Sequence, residues 1–77
     1  METNALTRAQ IDSAAKEAAV GTFAAFGRMV NVETAWGFIA EVWREAGVAM
    51  PATHPREFRH DYVRYCRCIL DGNPFIS

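Results

Sequence analysis

Apolar side chains recur every three or four residues in three separate stretches of the chain, and this spacing predicts three amphipathic helices. The predicted helices span roughly residues 8–28, 32–46 and 55–71. Glycine and proline in the intervening segments interrupt the helical periodicity, and no useful length of chain alternates as a strand does. We therefore expect an all-α, compact three-helix fold, with residues 1–77 forming a single small helical domain.

The first predicted helix opens with two matching capping signals. Thr7 and Gln10 have the spacing of a capping box, and Leu6 and Ile11 have the spacing of a hydrophobic staple. Small residues then share one line of the helix, where another helix could pack closely. This stripe comprises Ile11, Ala14, Ala18, Gly21, Ala25 and Met29, with Phe23 and Phe26 beside it. We expect the stripe to form core, and self-association through it is the alternative.

The second predicted helix presents large apolar side chains that complement this groove. Its stripe comprises Val32, Trp36, Ile39, Trp43 and Ala46. Gly47 follows at the position where a left-handed residue commonly ends a helix. The two tryptophans are natural knobs for the alanine groove of the first helix, which favours a compact helical packing.

The third predicted helix divides into an aromatic face and an arginine face. Pro55 is expected at its first position, capped by His54 or Thr53, and Gly72 is expected to end it. The side chains expected to face the core are Phe58, Tyr62, Tyr65 and Ile69, and those on the opposite side are Arg56, His60, Arg64 and Arg67. Carboxylates are expected among or beside these cations, at Glu57, Asp61 and Asp71.

The arginine face raises the alternative of nucleic-acid binding. A nucleic-acid-binding regulator would use Arg56, His60, Arg64 and Arg67 to contact phosphates. The formal net charge of −1 gives no general attraction to a polyanion. A helix-turn-helix needs a turn of about 3–4 residues, whereas the segment between the second and third helices is longer and holds Pro51 and Pro55. Nucleic-acid binding is therefore the second hypothesis.

The residues capable of metal or nucleophilic chemistry are poorly spaced for it. His54 and His60 are six positions apart, and Cys66 and Cys68 are two apart, which does not match paired zinc ligands. On a helix the two cysteines point about 200° apart and cannot form a disulfide with each other. Unpaired thiols suit a reducing compartment. We expect no metal, no cofactor and no enzymatic activity, and a cytoplasmic location.

Surplus apolar surface favours a protein-binding role. The candidate partner-binding residues lie outside the expected core: Phe38, Arg59, Val63, Leu70 and Phe75. Aromatic residues and arginine are enriched at binding hot spots. Our first hypothesis is a small cytosolic protein-binding module, an inhibitor or regulator that occupies a surface of a larger protein partner. Self-association as a homodimer is compatible with either hypothesis, because so short a chain buries a small core.

Composition adds two weaker expectations. The 13 alanines, and seven arginines against one lysine, fit a GC-rich coding sequence, which favours a phage- or plasmid-type protein. No apolar stretch approaches the roughly 18 residues that read as a membrane-spanning helix. The first ten residues lack the basic start and apolar run of a signal peptide. We expect no membrane association.

Overall fold

The computed structural model describes residues 6–72, which form three α-helices. Helix α1 spans Arg8–Phe26, α2 spans Val32–Glu45 and α3 spans Arg56–Asp71. The described chain contains no strand. The predicted all-α, three-helix architecture is therefore confirmed.

Local chemistry fixes most of the helix ends. The Thr7 hydroxyl accepts from the Gln10 backbone N–H at 3.0 Å, and the Gln10 side chain accepts from the Thr7 N–H at 2.8 Å, which completes the predicted capping box. The Asn31 side chain caps α2 by accepting from the Thr34 N–H at 2.8 Å. Gly27 has a φ of 72° and donates its N–H to Phe23, which ends α1 two residues earlier than predicted.

Helix α2 ends in a Schellman motif at the predicted glycine. Gly47 has a φ of 96° and donates to the Arg44 carbonyl at 3.0 Å, while Val48 donates to the Trp43 carbonyl at 2.9 Å. Helix α3 begins one residue later than expected. Pro55 is its N-cap residue, with a ψ of 155° and no side-chain hydrogen bond capping the helix, instead of its first helical residue.

The core lies chiefly between α1 and α3. Helix α1 packs more closely against α3 than against α2. Four alanines of α1 and the phenylalanine and tyrosines of α3 are fully buried: Ala14, Ala15, Ala18, Ala19, Phe58, Tyr62 and Tyr65. The small side chains of α1 thus leave room for the large ones of α3. Ile69, also expected in the core, is half-buried and packs against it.

The two tryptophans of α2 have different environments. Trp36 is 3% exposed, and its ring meets the Phe58 ring edge-on at 4.8 Å between centroids. Its indole N–H donates to the Pro51 carbonyl at 3.1 Å, which holds the α2–α3 loop. Trp43 is only half-buried and donates to Glu17 on α1 at 2.8 Å. Trp36 therefore links α2 to α3, whereas Trp43 forms a hydrogen bond at the edge of the α1–α2 contact.

The predicted core stripe of α1 is wrong at its C-terminal end. Ala25 and Phe26 are exposed, and Met29 lies beyond the helix and is also exposed. Thr22 is buried instead, and its hydroxyl donates to the Ala19 carbonyl at 3.2 Å. Met29 leaves the stripe because α1 ends at Phe26, so the helical spacing does not continue to position 29.

Candidate functional site

The exposed side of α3 forms a continuous cationic surface with an apolar floor. We call it the α3 arginine face. It surrounds a shallow depression of about 510 Å³ lined by Arg56, Arg59, His60, Val63, Arg64 and Arg67. Leu70 stands seven residues after Val63, on the same line of the helix, and is 64% exposed. The residues proposed from sequence for partner binding and for nucleic-acid binding on α3 therefore share one surface.

Three arginines of this face have no partner in residues 6–72. Arg56, Arg59 and Arg67 are exposed and make no hydrogen bond or ion pair with any residue in that range. Glu33 lines an adjoining depression together with Arg59 and Val63, without forming an ion pair with the guanidinium. The three guanidinium groups are thus free to bind an external acceptor.

Arg64 differs because α1 and α3 already hold it. Its Nη2 lies 3.4 Å from Asp12 Oδ1 and 3.8 Å from Asp61 Oδ1. Its guanidinium also lies over the Tyr65 ring, 4.7 Å from the centroid. His60 is 81% exposed, with Nδ1 3.7 Å from Asp61 Oδ1. The sequence analysis placed Arg64 together with Arg56 and Arg67 on one side of α3. In the structure Arg64 is paired with carboxylates, whereas Arg56 and Arg67 are not.

The burial of Asp61 differs from the prediction for the arginine face. It was expected among the exposed cations, but it is 1% exposed and points inward. Arg8 donates to both of its carboxylate oxygens, at 2.6 and 3.2 Å. This hydrogen bonding lowers the pKa of Asp61 from its ordinary value, against the opposing effect of burial. A signal was available, because Asp61 follows Phe58 by three residues and precedes Tyr65 by four, which is core spacing.

A second link between α1 and α3 lies one turn further along. The Tyr65 hydroxyl donates to Asp12 Oδ1 at 2.8 Å, and the Tyr65 ring is fully buried. Burial raises the pKa of the Tyr65 hydroxyl, as does the hydrogen bond to the Asp12 carboxylate. Together with the Arg8–Asp61 pair, this bond fixes the angular position of α3 about its axis, and so fixes which side chains form the arginine face.

Phe38 belongs to a different surface, between α1 and α2. We call it the α1–α2 face. Its exposed apolar side chains are Val20 at 49%, Phe38 at 37% and Val42 at 45%. These three line a depression together with Gly21, and Lys16 and Glu17 of α1 stand at its edge. Glu41 and Glu45 are exposed on the neighbouring side of α2. The surface is therefore apolar, with an acidic border along α2.

The proposed partner-binding residues do not come together as one patch. Arg59, Val63 and Leu70 lie on α3, whereas Phe38 lies on the α1–α2 face. Val63 is half-buried. Phe75 lies outside the described residues. Cys66, three residues after Val63 on α3, is fully buried in the core. Sequence periodicity identified the exposed positions but not which helices stand side by side.

The thiols and histidines remain separate. Cys66 is buried, which raises the pKa of its thiol, and Cys68 is half-buried; both are free cysteines. Within residues 6–72, no group of three or more histidine, cysteine, aspartate and glutamate side chains is arranged to hold a metal ion. Among the helices described, none is both long enough and apolar enough to cross a membrane.

The functional assignment of this protein rests on the chemistry of its surface. The chain matches no protein-family model, and we found no significant similarity to a curated protein or to a solved structure.

Proposed function

We propose that this protein is a small protein-binding module, of the inhibitor or regulator type, that acts by occupying a surface of a larger protein partner. The observation that carries the proposal is the α3 arginine face. Arg56, Arg59 and Arg67 have no partner in the described chain, and they flank the apolar line of Val63 and Leu70. Arginine next to apolar side chains is the combination enriched at the energetic centres of protein interfaces.

The same face indicates the chemistry of the partner. Guanidinium groups bind carboxylates through two parallel hydrogen bonds, and Val63 and Leu70 gain free energy when they leave water. A fitting partner surface therefore carries carboxylates beside exposed apolar side chains. Complementary charge also speeds the encounter of the two proteins and fixes their relative orientation. An inhibitor needs no more than this, because it functions by covering a surface.

Nucleic-acid binding through Arg56, His60, Arg64 and Arg67 is the second candidate, and one observation favours it. Asp61 points inward, so one of the carboxylates expected to interrupt the arginine face is absent from it. Two observations oppose it. Phe58, Tyr62 and Tyr65 are fully buried, so no phenylalanine or tyrosine ring of α3 is available for bases to stack on. The formal net charge is −1, which does not attract a long polyanion.

The remaining parts of the proposal rest on sequence chemistry. A cytoplasmic location fits the free thiols of Cys66 and Cys68. A phage- or plasmid-type origin is based on the alanine and arginine bias alone. We propose no catalytic role: the thiol of Cys66 is buried, which raises its pKa, and Cys68 is half-buried.

The experiment that tests the proposal is affinity capture from a lysate of the source organism, divided into nuclease-treated and untreated halves. Tagged wild type, the Arg59→Ala/Arg67→Ala double variant and Arg28→Ala are compared. Arg28 is the matched control, because it is an exposed arginine in the α1–α2 loop, outside the arginine face. We expect a protein that wild type and Arg28→Ala retain after nuclease and that the double variant loses.

Two outcomes would contradict the proposal. Equal capture by all three proteins would remove the arginine face from the interface. Capture that disappears with nuclease would move the function to nucleic acid and to the second candidate.

A further inference from the structure

The molecule carries two exposed faces whose chemistries are complementary to each other. The α3 arginine face is cationic with an apolar line, and the α1–α2 face is apolar with an acidic border. We infer that the chain associates with a second copy of itself head to tail, the α3 arginine face of one copy docking on the α1–α2 face of the next. This goes beyond the binding of a larger partner.

The acidic side of this contact is built on the outer surface of α2. At about 100° per residue, Phe38, Glu41, Val42 and Glu45 fall within a sector of about 100°. Glu41 and Glu45 are exposed and make no ion pair within residues 6–72. Val20 of α1 extends the apolar part of the face. The two carboxylates therefore lie beside exposed apolar side chains.

The basic side has the same organisation along α3. Arg59, Leu70, Val63, Arg56 and Arg67 fall in that order within a sector of about 80° at the same rotation per residue. Val63 and Leu70 form the apolar line, and the unpaired arginines flank it on both sides. The line from Arg56 to Arg67 is about 16 Å long at 1.5 Å per residue, within the length of about 21 Å that the 14 residues of α2 provide.

Charge decides how two copies would pair. Two arginine faces placed together oppose like charges, and so do two acidic borders. Pairing the unlike faces instead brings the free guanidinium groups to the carboxylates of Glu41 and Glu45 and covers both apolar parts. The faces share no lining residue and lie on different helices, so the contact forms only between copies. A contact between unlike faces is heterologous, and it continues into a ring or an open chain of copies.

This mode of association has a consequence for partner binding. The arginine face is used in both interactions, so a copy that has docked on another copy cannot hold a partner there. A monomer, or the end copy of an open chain, therefore binds the partner, and self-association reduces the number of free arginine faces. The two interactions remain separable by experiment, because self-association requires only the purified chain.

The test uses two variants, each blocked on one face. Arg59→Ala/Arg67→Ala removes charge from the arginine face, and Glu41→Gln/Glu45→Gln removes it from the acidic border. Sedimentation velocity at low salt measures wild type, each variant alone and their equimolar mixture. We expect the mass of wild type to rise with concentration and each variant alone to stay at the 8.6 kDa monomer. The mixture should form a complex of two chains and stop there, because each variant retains the face that the other has lost.

Three results would overturn the inference. One is wild type that stays monomeric at every concentration. Another is a mixture that contains only monomers, and the third is either variant associating as wild type does. Circular dichroism confirms that each variant is helical, and the neutral variants Arg59→Gln/Arg67→Gln or Glu41→Ala/Glu45→Ala replace any variant that fails to fold. Arg28→Glu, a charge reversal outside both faces, should associate as wild type does.

Discussion

The ring of Phe38 lies over the backbone of Gly21, so closely that a β-carbon on Gly21 would stand 2.5 Å from Phe38 Cε2 and 2.9 Å from Cζ. Glycine inside a helix costs about 1 kcal/mol relative to alanine. This destabilising residue stands where α1 and α2 approach each other, because only glycine leaves room for the Phe38 ring. Phe38 is 37% exposed, so its ring could turn outward if the space were filled.

The Gly21–Phe38 contact predicts energetic coupling between the two positions. Gly21→Ala should leave the free energy of unfolding nearly unchanged in wild type, because displacing the ring offsets the gain in helix propensity. In a Phe38→Ala background the same change should stabilise by about 1 kcal/mol. Urea unfolding of the four proteins measures the coupling. Gly37→Ala is the control, since a β-carbon there meets nothing within 4 Å and should stabilise in both backgrounds. Additive effects at Gly21 and Phe38 would show that the ring does not constrain the glycine.

The Arg8–Asp61 pair predicts a specific loss of stability in acid. The pKa of Asp61 is lowered in the folded state, so below about pH 4, near the ordinary aspartate value, the unfolded chain binds more protons. The stabilisation is therefore complete above that pH and is lost as the pH falls through the folded pKa. The drop in unfolding free energy from pH 7 to pH 3 should be smaller in Asp61→Asn than in wild type. Equal drops would mean that Asp61 is not the linked group.

The two buried tyrosines of α3 should differ in what their hydroxyls contribute. The Tyr62 hydroxyl donates to the Val30 carbonyl at 2.8 Å and accepts from the Val30 N–H at 3.3 Å, inside the protein. Tyr62→Phe leaves both groups without a partner and should cost about 2 kcal/mol. Tyr65→Phe loses one bond to Asp12, a half-buried carboxylate that water can reach, and should cost about 1 kcal/mol. Urea unfolding ranks the two variants, and the reverse order would contradict this account of the α1–α2 loop.

The free cations of α3 limit how strongly salt can affect any binding to nucleic acid. With three unpaired arginines, the logarithm of affinity for duplex DNA should fall against that of salt concentration with a slope no steeper than about −3. Fluorescence anisotropy with a labelled duplex measures the slope. Arg64→Ala should leave it unchanged, because Arg64 is occupied by Asp12 and Asp61. A much steeper slope, or one that depends on Arg64, would favour the nucleic-acid candidate over protein binding.

Short-range chemistry made the fold predictable. The capping box at Thr7, the left-handed Gly47 and the 3.6-residue periodicity act within a few residues of one another, so the sequence displays them directly. The burial of Asp61 escaped prediction for the opposite reason. An aspartate is normally exposed unless it is paired, and its partner Arg8 lies 53 positions away in the chain.

The candidate site was predicted only in part for a similar reason. A helical wheel ranks the residues of one helix, and it correctly left Arg56, Arg59 and Arg67 exposed on α3. It cannot show which helices are adjacent. The separation of Phe38 from Arg59, and the capture of Arg64 by Asp12, both depend on how α1, α2 and α3 are arranged.

The packing of α1 on α3 has a consequence for how the chain folds. The pairs Arg8–Asp61 and Asp12–Tyr65 each join residues 53 positions apart. Contacts so distant in sequence close a long loop before they contribute any stability, which slows folding. On the ribosome, where chains grow at about 5–20 residues per second, the alanines of α1 emerge long before the aromatic residues that cover them. Cooperative folding of this domain therefore waits for the synthesis of its last helix.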